Sequence, residues 1–222
     1  MTRNTKIAFL LLTFFTTYYV VEPLKSNERQ IALKTHNRYR RDLAKGEVVN
    51  KNGNPLPKAQ NMYEFKYNIA LEKLAEKSAR KCEFKHSKPE ERKFTGETIY
   101  TFTKPVKINN VLDNATAFWF QELADFGVDE SLNLTRAEFD KGIGHFTQMA
   151  WGETTSVGCA VRYCKTKSGE FKHTIVFCNY APPGNILNRR IYEIGQPCKM
   201  DSDCTRYKNS KCVRKRGLCR RN

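Results

Sequence analysis

The sequence lacks a hydrophobic run long enough to cross a membrane as a helix, which takes about 20 apolar residues. An uncharged and mostly apolar stretch, Ile7–Val21, follows Arg3 and Lys6 and precedes Glu22. A basic start, a short apolar core and a polar exit, in this order, are typical of a secretory signal peptide. We therefore expect residues 1–21 to be a signal peptide and the protein to be secreted, extracellular and not membrane-spanning. A buried helix and an uncleaved anchor are the alternatives, and the lack of an A-x-A site leaves the cleavage point open.

Acidic residues are scarce beside the basic ones, with 23 Asp and Glu against 39 Lys and Arg and a formal net charge of +16. A chain of this charge attracts anionic partners, which are nucleic acid, glycans or lipid headgroups. Because an exported protein rarely meets nucleic acid, we expect no nucleic-acid partner. The hydrophobic fraction of 40% is enough for a packed core and excludes wholesale disorder.

Three motifs of metal sites and hydrolases are missing: the C-x2-C of a zinc ribbon, the H-E-x-x-H of a metalloprotease and the G-x-S-x-G of a serine hydrolase. Cysteine is plentiful, with eight residues in two groups of four: Cys82, Cys159, Cys164 and Cys178, then Cys198, Cys204, Cys212 and Cys219. In a secreted chain these cysteines are expected to form disulfides, which leaves no thiol nucleophile. Each group of four allows three pairings.

The periodicity predicts three long helices. The first starts with Asn27 as its N-cap and stops at Gly46, and Asn68 caps the second. The third runs from about 111 to 126 with an apolar stripe that includes Phe118. Glu122 lies within that stripe, and since burial of an unpaired carboxylate is costly, it requires a polar partner.

Strands are expected at 97–103, 157–164 and 173–180, the last two joined by a turn. Helices that precede paired strands, without βαβ alternation, indicate the α+β class. Two sequons, at Asn114 and Asn133, predict N-glycosylation of a secreted glycoprotein.

The end of the chain differs in composition from the rest. Residues 197–222 carry nine Lys and Arg against two Asp, and contain four of the eight cysteines with almost no large apolar residues. Such a segment is held by crosslinks rather than by a core. We therefore predict a main domain at 27–195 and a basic four-cysteine C-terminal module at 196–222. Its clustered cations could bind a sulfated glycan, although a merely solvated tail is the alternative.

Four segments together resemble the CAP superfamily of cysteine-rich secretory proteins, antigen 5 venom allergens and pathogenesis-related 1 proteins. They are THNRYRRDLAKG at 35–46, GHFTQMAW at 144–151, VGCAVRYC at 157–164 and FCNYAPPGN at 177–185. Venom-allergen-like and other SCP-like extracellular proteins of invertebrates are the most similar members. The resemblance implies an α-β-α sandwich with a mixed, mainly antiparallel sheet, and the disulfides Cys82–Cys164 and Cys159–Cys178.

The resemblance also implies a central cleft with two histidines and two carboxylates. By motif position these are His86, Glu97, Glu122 and His145. Imidazole and carboxylate groups are ligands that zinc accepts, so we hypothesise zinc as a cofactor there. The alternative is that the four side chains only satisfy each other by hydrogen bonds.

Members of the family bind sterols or fatty acids at apolar surface segments, and here Ile99, Tyr100 and Phe102 form such a segment. A half-buried strand is the alternative interpretation of these three residues. We predict a non-enzymatic protein that binds a lipid or an extracellular receptor. The other hypotheses are a zinc-dependent hydrolase that uses the four cleft residues, and a toxin-like protein that binds glycans or channels through the C-terminal module.

Overall fold

The computed structural model describes residues 23–222, and the predicted signal peptide at 1–21 lies outside the described residues. Within 23–222 the chain forms five α-helices: α1 (Ser26–Lys45), α2 (Ile69–Ala79), α3 (Ile108–Phe126), α4 (Arg136–Phe139) and α5 (Gly144–Ala150). The same residues form eight strands: β1 (Ala59–Gln60), β2 (Lys66–Tyr67), β3 (Gly96–Phe102), β4 (Ser156–Lys165), β5 (Phe171–Ala181), β6 (Glu193–Ile194), β7 (Lys211–Val213) and β8 (Leu218–Arg220). None of the helices within 23–222 combines the length and the apolar character needed to span a membrane.

The central sheet has four strands in the order β2-β4-β5-β3. β4 and β5 pair antiparallel with Cys159 opposite Cys178, and β3 pairs antiparallel with β5. β2 contributes a short parallel pairing with β4 at one edge. The mixed, mainly antiparallel sheet confirms the predicted α+β class.

Helices cover both faces of this sheet, because side chains of successive strand residues point to opposite faces. Val157, Cys159 and Val161 of β4 pack with α1, α3 and the end of α5. Ala160 and Cys164 of the same strand pack with α2 on the other face. The α-β-α sandwich that the resemblance implied is therefore confirmed.

The start of α1 differs from the prediction. Asn27 is not its N-cap, because the helix begins at Ser26 and the backbone N–H of the preceding Lys25 donates to the Glu28 carboxylate at 2.6 Å. Glu28, the third residue of the helix, thus makes the reciprocal hydrogen bond of a capping box. Gly46 ends the helix as predicted, with a φ of 70° that glycine adopts without steric cost.

The other two helix predictions need one correction. Asn68 caps α2 as expected, since its side-chain oxygen accepts hydrogen bonds from the first turn. In α3 the predicted apolar stripe is buried except at Phe118, whose ring is 48% exposed. Residues 115 and 119 on either side face the core, and Phe118 lies at the edge of the buried face.

Four disulfides close the structure: Cys82–Cys164, Cys159–Cys178, Cys198–Cys212 and Cys204–Cys219. The first two are the pairs that the family resemblance implied. The last two hold the C-terminal segment, in which β7 and β8 form a hairpin.

The C-terminal segment packs on the main body through a tyrosine that sequence analysis did not single out. Tyr63 is fully buried among the cysteines of this segment, and its ring lies edge-on to Tyr207. Next to it, the backbone N–H of Glu64 donates to the Cys219 carbonyl at 2.8 Å. Leu218 enters the core of the main body. The crosslinked segment therefore has a fixed orientation on the main body.

A buried histidine makes the stability of the fold depend on pH. His36 of α1 is fully buried, with Nδ1 2.7 Å from the Ala32 carbonyl and Nε2 2.9 Å from the Tyr180 hydroxyl. Burial lowers the pKa of His36 from 6.5 to about 4, although the Ala32 carbonyl opposes this shift. The unfolded chain therefore takes up a proton near pH 6.5 and the folded protein only near pH 4, so a falling pH favours unfolding.

We expect His36→Gln to remove this part of the pH dependence. As the pH falls from the first of these pKa values to the second, the protonation of His36 in the unfolded chain should lower the unfolding free energy of the wild-type protein by about 3 kcal/mol. Urea denaturation at a series of pH values measures the loss. Tyr180→Phe removes a hydrogen bond to His36 but no titrating imidazole, so it should keep the wild-type slope. An unchanged slope in His36→Gln would contradict the assignment.

Candidate functional site

A cleft of about 560 Å³ opens between the start of β3, the start of α5 and the segment after β5. Its polar lining includes His86, Glu97 and His145. Phe94 and Phe139 provide apolar walls, and the Phe94 side chain is 67% exposed at the mouth. The cleft therefore combines titratable groups with apolar surface, as ligand-binding sites do.

His86 is fixed by Glu97, the second residue of β3. His86 Nδ1 lies 3.0 Å from Glu97 Oε1, and Ser87 adds its backbone N–H at 2.9 Å and its hydroxyl at 2.7 Å to the same carboxylate. Burial alone would raise the pKa of Glu97, but these hydrogen bonds outweigh it and hold the pKa below its ordinary value. Glu97 is thus an ionised carboxylate under a half-exposed imidazole.

His145 is fixed by Glu122, the carboxylate that the sequence placed on the apolar stripe of α3. His145 Nδ1 lies 2.5 Å from Glu122 Oε1. Oε2 of Glu122 accepts the backbone N–H groups of His145 and Phe146, each at 2.9 Å. The carboxylate therefore orients the ring and satisfies two free N–H groups in the first turn of α5.

The two histidine–carboxylate pairs face each other across the cleft. The ring centroids of His86 and His145 are 5.9 Å apart. Trp119 stacks on the His145 ring at 6.1 Å and is itself held by a hydrogen bond to the Ile99 carbonyl at 3.0 Å. The structure thus brings together all four residues that the resemblance implied, and Trp119 supports them.

The donor atoms indicate which of the four residues could bind a metal. A carboxylate accepts the hydrogen bond from each Nδ1, so in the neutral form of each ring Nε2 is the nitrogen with the lone pair. Nε2 of His145 is buried without a hydrogen-bond partner among residues 23–222. The carboxylates therefore orient the rings, and the two Nε2 atoms are the candidate ligands.

A second group of donor atoms does not form a metal site. Cys198, Cys204 and Cys212 have their sulfur atoms within 4.8 Å of one another. In the described part of the chain they are the group of at least three His, Cys, Asp or Glu residues whose donor atoms lie this close together. All three sulfurs are in disulfides, so they do not act as thiolate ligands.

The three residues of the lipid hypothesis are divided between the two faces of β3. Tyr100 and Phe102 lie on the α3 side, where Tyr100 stacks on Phe118 with ring centroids 4.7 Å apart. Ile99 points the other way and is buried against α2 at 4% exposure. The structure therefore separates Ile99 from the other two and adds Phe118. We call Tyr100, Phe102 and Phe118 the aromatic patch.

The two sequons occupy different surroundings. Asn114 is exposed on α3, whereas Asn133 is half-buried and its backbone pairs with that of Arg190 in an isolated antiparallel β-bridge. Asn114 is therefore the more accessible of the two predicted glycosylation sites.

We expect Glu122→Ala to destabilise the protein by about 3 kcal/mol, because three hydrogen bonds to the start of α5 are lost. Glu122→Gln keeps one accepting oxygen and should cost about half as much. Thermal unfolding measures both variants. Gln121→Ala, at an exposed position of the same helix, is the matched control and should change stability by less than about 0.5 kcal/mol. A loss of the same size in the control would show that Glu122 has no special role.

Residues 33–180 match the family model of CAP, the Cysteine-rich secretory protein family. The chain belongs to this family.

Three relatives of the chain have names that refer to secretion, a toxin or venom. It is 36% identical to Ancylostoma secreted protein of Ancylostoma caninum over 86% of this chain, and spans only 43% of that protein's length. It is 34% identical to Scoloptoxin SSD43 of Scolopendra dehaani, with 85% of this chain and 82% of the toxin covered. Venom allergen 5 of Vespula vidua is 32% identical over 77% of this chain and 81% of its own length.

Two solved structures share the fold over nearly their whole length. The structure of BmVAL-1 superimposes with a TM-score of 0.82 at 35% identity, covering 90% of this chain and 96% of BmVAL-1. The crystal structure of NaASP2 with Zn2+ gives a TM-score of 0.79 at 36% identity, covering 89% of this chain and 97% of NaASP2.

Proposed function

We propose that this CAP protein is a non-enzymatic extracellular binding protein whose cleft binds zinc through Nε2 of His86 and His145. The observation that carries the proposal is the buried, unpartnered Nε2 of His145, in a ring whose Nδ1 is held by Glu122. A histidine whose second nitrogen is bonded to a carboxylate is the arrangement typical of zinc ligands. NaASP2, with 36% identity, has been crystallised with Zn2+.

The residues present fit zinc. Zinc–nitrogen bonds are about 2.0–2.1 Å long, so rings with centroids 5.9 Å apart are close enough for one ion to contact both. Two histidines supply two of the four positions that zinc takes. When bound, zinc would offer its remaining positions to donor atoms of a ligand in the cleft.

A binding role agrees with the contacts of the side chains that could act as a nucleophile or a base. The chain has no free cysteine, and the Ser87 hydroxyl donates to Glu97 instead of facing an imidazole base. Both cleft carboxylates hold a histidine ring in place. A hydrolase would need metal-activated water, and cleavage of a peptide library that is lost in Glu97→Gln would favour that alternative.

The test is a zinc titration of the full-length protein by calorimetry near neutral pH. We expect one site, lost in His145→Ala and weakened at least about tenfold in His86→Ala. His173→Ala is the matched control, because His173 also has a buried Nε2 without a hydrogen-bond partner within 23–222 but does not line the cleft. Equal loss in the control, or unchanged binding in His145→Ala, would contradict the proposal.

The aromatic patch supports a second binding function, for a lipid. Phe118 is 48% exposed on top of Tyr100, and Phe102 completes the patch with its ring 4.9 Å from that of Tyr100. Lys104 and Lys107 are exposed in the segment that follows. Because apolar rings beside ammonium groups suit an amphiphile with a carboxylate, we propose a fatty acid over a sterol.

Binding of labelled palmitate and labelled cholesterol tests this second function. Palmitate binding should fall at least about fivefold in Phe118→Ala and Tyr100→Ala. Phe126→Ala, at a 43% exposed phenylalanine on the same helix, should bind as the wild type does. If cholesterol binds and its binding depends on the patch, the ligand is a sterol instead of a fatty acid. Palmitate binding that survives both patch variants would refute this location.

A further inference from the structure

The hairpin of β7 and β8 carries a cluster of cations at the C-terminal end of the molecule. Six exposed basic side chains lie on this hairpin and next to it, and we call them the hairpin cations: Lys211, Arg214, Lys215, Arg216, Arg220 and Arg221. They contact two carboxylates, Glu64 and Asp201, so a clear positive excess remains. We propose that the hairpin cations form a binding site for a sulfated glycan, in which Glu64 positions two of the arginines.

The hairpin is a rigid platform. Cys212 and Cys219 face each other in the strand register, and each is tied to the rest of the C-terminal segment by its own disulfide. Leu218 anchors the second strand in the core, and the Cys219 N–H donates to the Met62 carbonyl at 2.8 Å. A platform fixed in this way loses little entropy when it binds a ligand.

Glu64 holds two hairpin cations from below. Its side chain is only 5% exposed, and it accepts hydrogen bonds from Arg216, with Nη1–Oε2 at 2.7 Å, and from Nε of Arg220. The two arginine side chains remain 49% and 48% exposed. A guanidinium group has five N–H donors, so each arginine keeps donors for a ligand while the buried carboxylate limits its movement.

The side chains around the hairpin cations favour one class of anionic ligand over the others. Single-stranded nucleic acid stacks its bases on exposed aromatic rings, and insertion into a lipid surface requires exposed apolar side chains. On the hairpin Leu218 is buried and Val213 half-buried, and the nearby Tyr207 ring is covered by Arg221 at 4.5 Å. A polar polyanion whose sulfates accept paired N–H donors fits this surface, and four disulfides indicate an extracellular setting where such glycans occur.

Surface plasmon resonance on immobilised heparin tests the site with the full-length protein. The double variant Arg214→Ala/Lys215→Ala should bind at least about fivefold more weakly and show a weaker dependence on salt. Lys73→Ala/Lys77→Ala removes the same charge from exposed positions of α2 and should bind as the wild type does. Equal losses in the two double variants would show a net-charge effect and overturn the site.

Glu64→Gln tests the positioning role separately. The substitution makes the protein more positive, so a net-charge effect alone would tighten binding, whereas loss of positioning should weaken it by at least about threefold. Unchanged or tighter binding would therefore overturn the role of Glu64. Desulfated heparin should not bind. A DNA oligonucleotide or phosphatidylserine vesicles that bind as tightly as heparin, through the same residues, would overturn the assignment to sulfated glycans.

Discussion

Replacing Arg40 with methionine should destabilise the protein by about 4 kcal/mol or more. Arg40 of α1 is fully buried, and its guanidinium group lies over the Phe65 ring at 4.2 Å. It donates to five backbone carbonyls at 2.7–3.2 Å: those of Tyr63, Met149, Trp151, Gly152 and Thr154. Methionine fills a similar volume but donates no hydrogen bond, so buried carbonyls lose a charged partner.

Denaturation in guanidinium chloride with the disulfides intact measures the effect. Arg38→Met is the matched control on the same helix, since the Arg38 side chain is 49% exposed and should matter by less than about 0.5 kcal/mol. Arg40→Lys keeps the charge but lacks the planar donors, and should fall between the two. Wild-type stability of Arg40→Lys would mean that charge, rather than the five hydrogen bonds, is what matters.

The loss of the Arg40 hydrogen bonds should also affect the cleft. Four of the five carbonyls belong to residues 149–154, at the end of α5 and just after it, and α5 is the helix that carries His145. Burial lowers the pKa of Arg40 to about 9, so the guanidinium group stays protonated at neutral pH even in the core. No carboxylate pairs with Arg40 in the part of the chain that the structure describes, so the carbonyl dipoles and the face of the Phe65 ring compensate its charge.

Gly158→Ala should cost about 3 kcal/mol or more, because α2 crosses β4 in direct backbone contact. A Cβ atom at residue 158 would lie 2.3 Å from the Glu72 nitrogen and 2.4 Å from the Asn68 oxygen. Both are backbone atoms at the start of α2, so no side-chain rotation can relieve the clash. The helix would have to move away from the sheet, and the segment from α2 to His86 with it.

Gly169→Ala is the control for this second prediction. Gly169 lies in the turn between β4 and β5 with a φ of +89° and open space around its Cβ position. Its replacement should cost about 1 kcal/mol through backbone conformation alone. Thermal unfolding of both variants separates the two causes. A Gly158→Ala protein as stable as Gly169→Ala would contradict the close packing of α2 on the sheet.

Much of the fold was accessible from local patterns. Asn68 and Gly46 were identified as helix boundaries because their roles depend on a few neighbouring residues. Glu122 on an apolar stripe indicated a buried polar contact, and the motif around His145 provided the partner. These predictions rest on short-range chemistry that a single sequence displays.

What could not be predicted depends on contacts between distant segments. Arg40 is one of several basic residues in α1, and nothing in its spacing shows that carbonyls of residues 149–154 surround it. Tyr63 and Glu64 lie in a segment without periodicity, and their role depends on where the C-terminal hairpin docks. Ile99 was grouped with Tyr100 by sequence proximity, whereas the strand sends adjacent side chains to opposite faces.

The proposed function depends above all on zinc binding by the Nε2 atoms of the two cleft histidines. A crystal structure of the zinc-soaked protein, with diffraction data collected above and below the zinc absorption edge, tests it most directly. We expect an anomalous peak about 2.0–2.1 Å from Nε2 of both His86 and His145, with Glu97 and Glu122 still bonded to the Nδ1 atoms. No peak in the cleft, or a peak bound by the carboxylates in place of the Nε2 atoms, would contradict it.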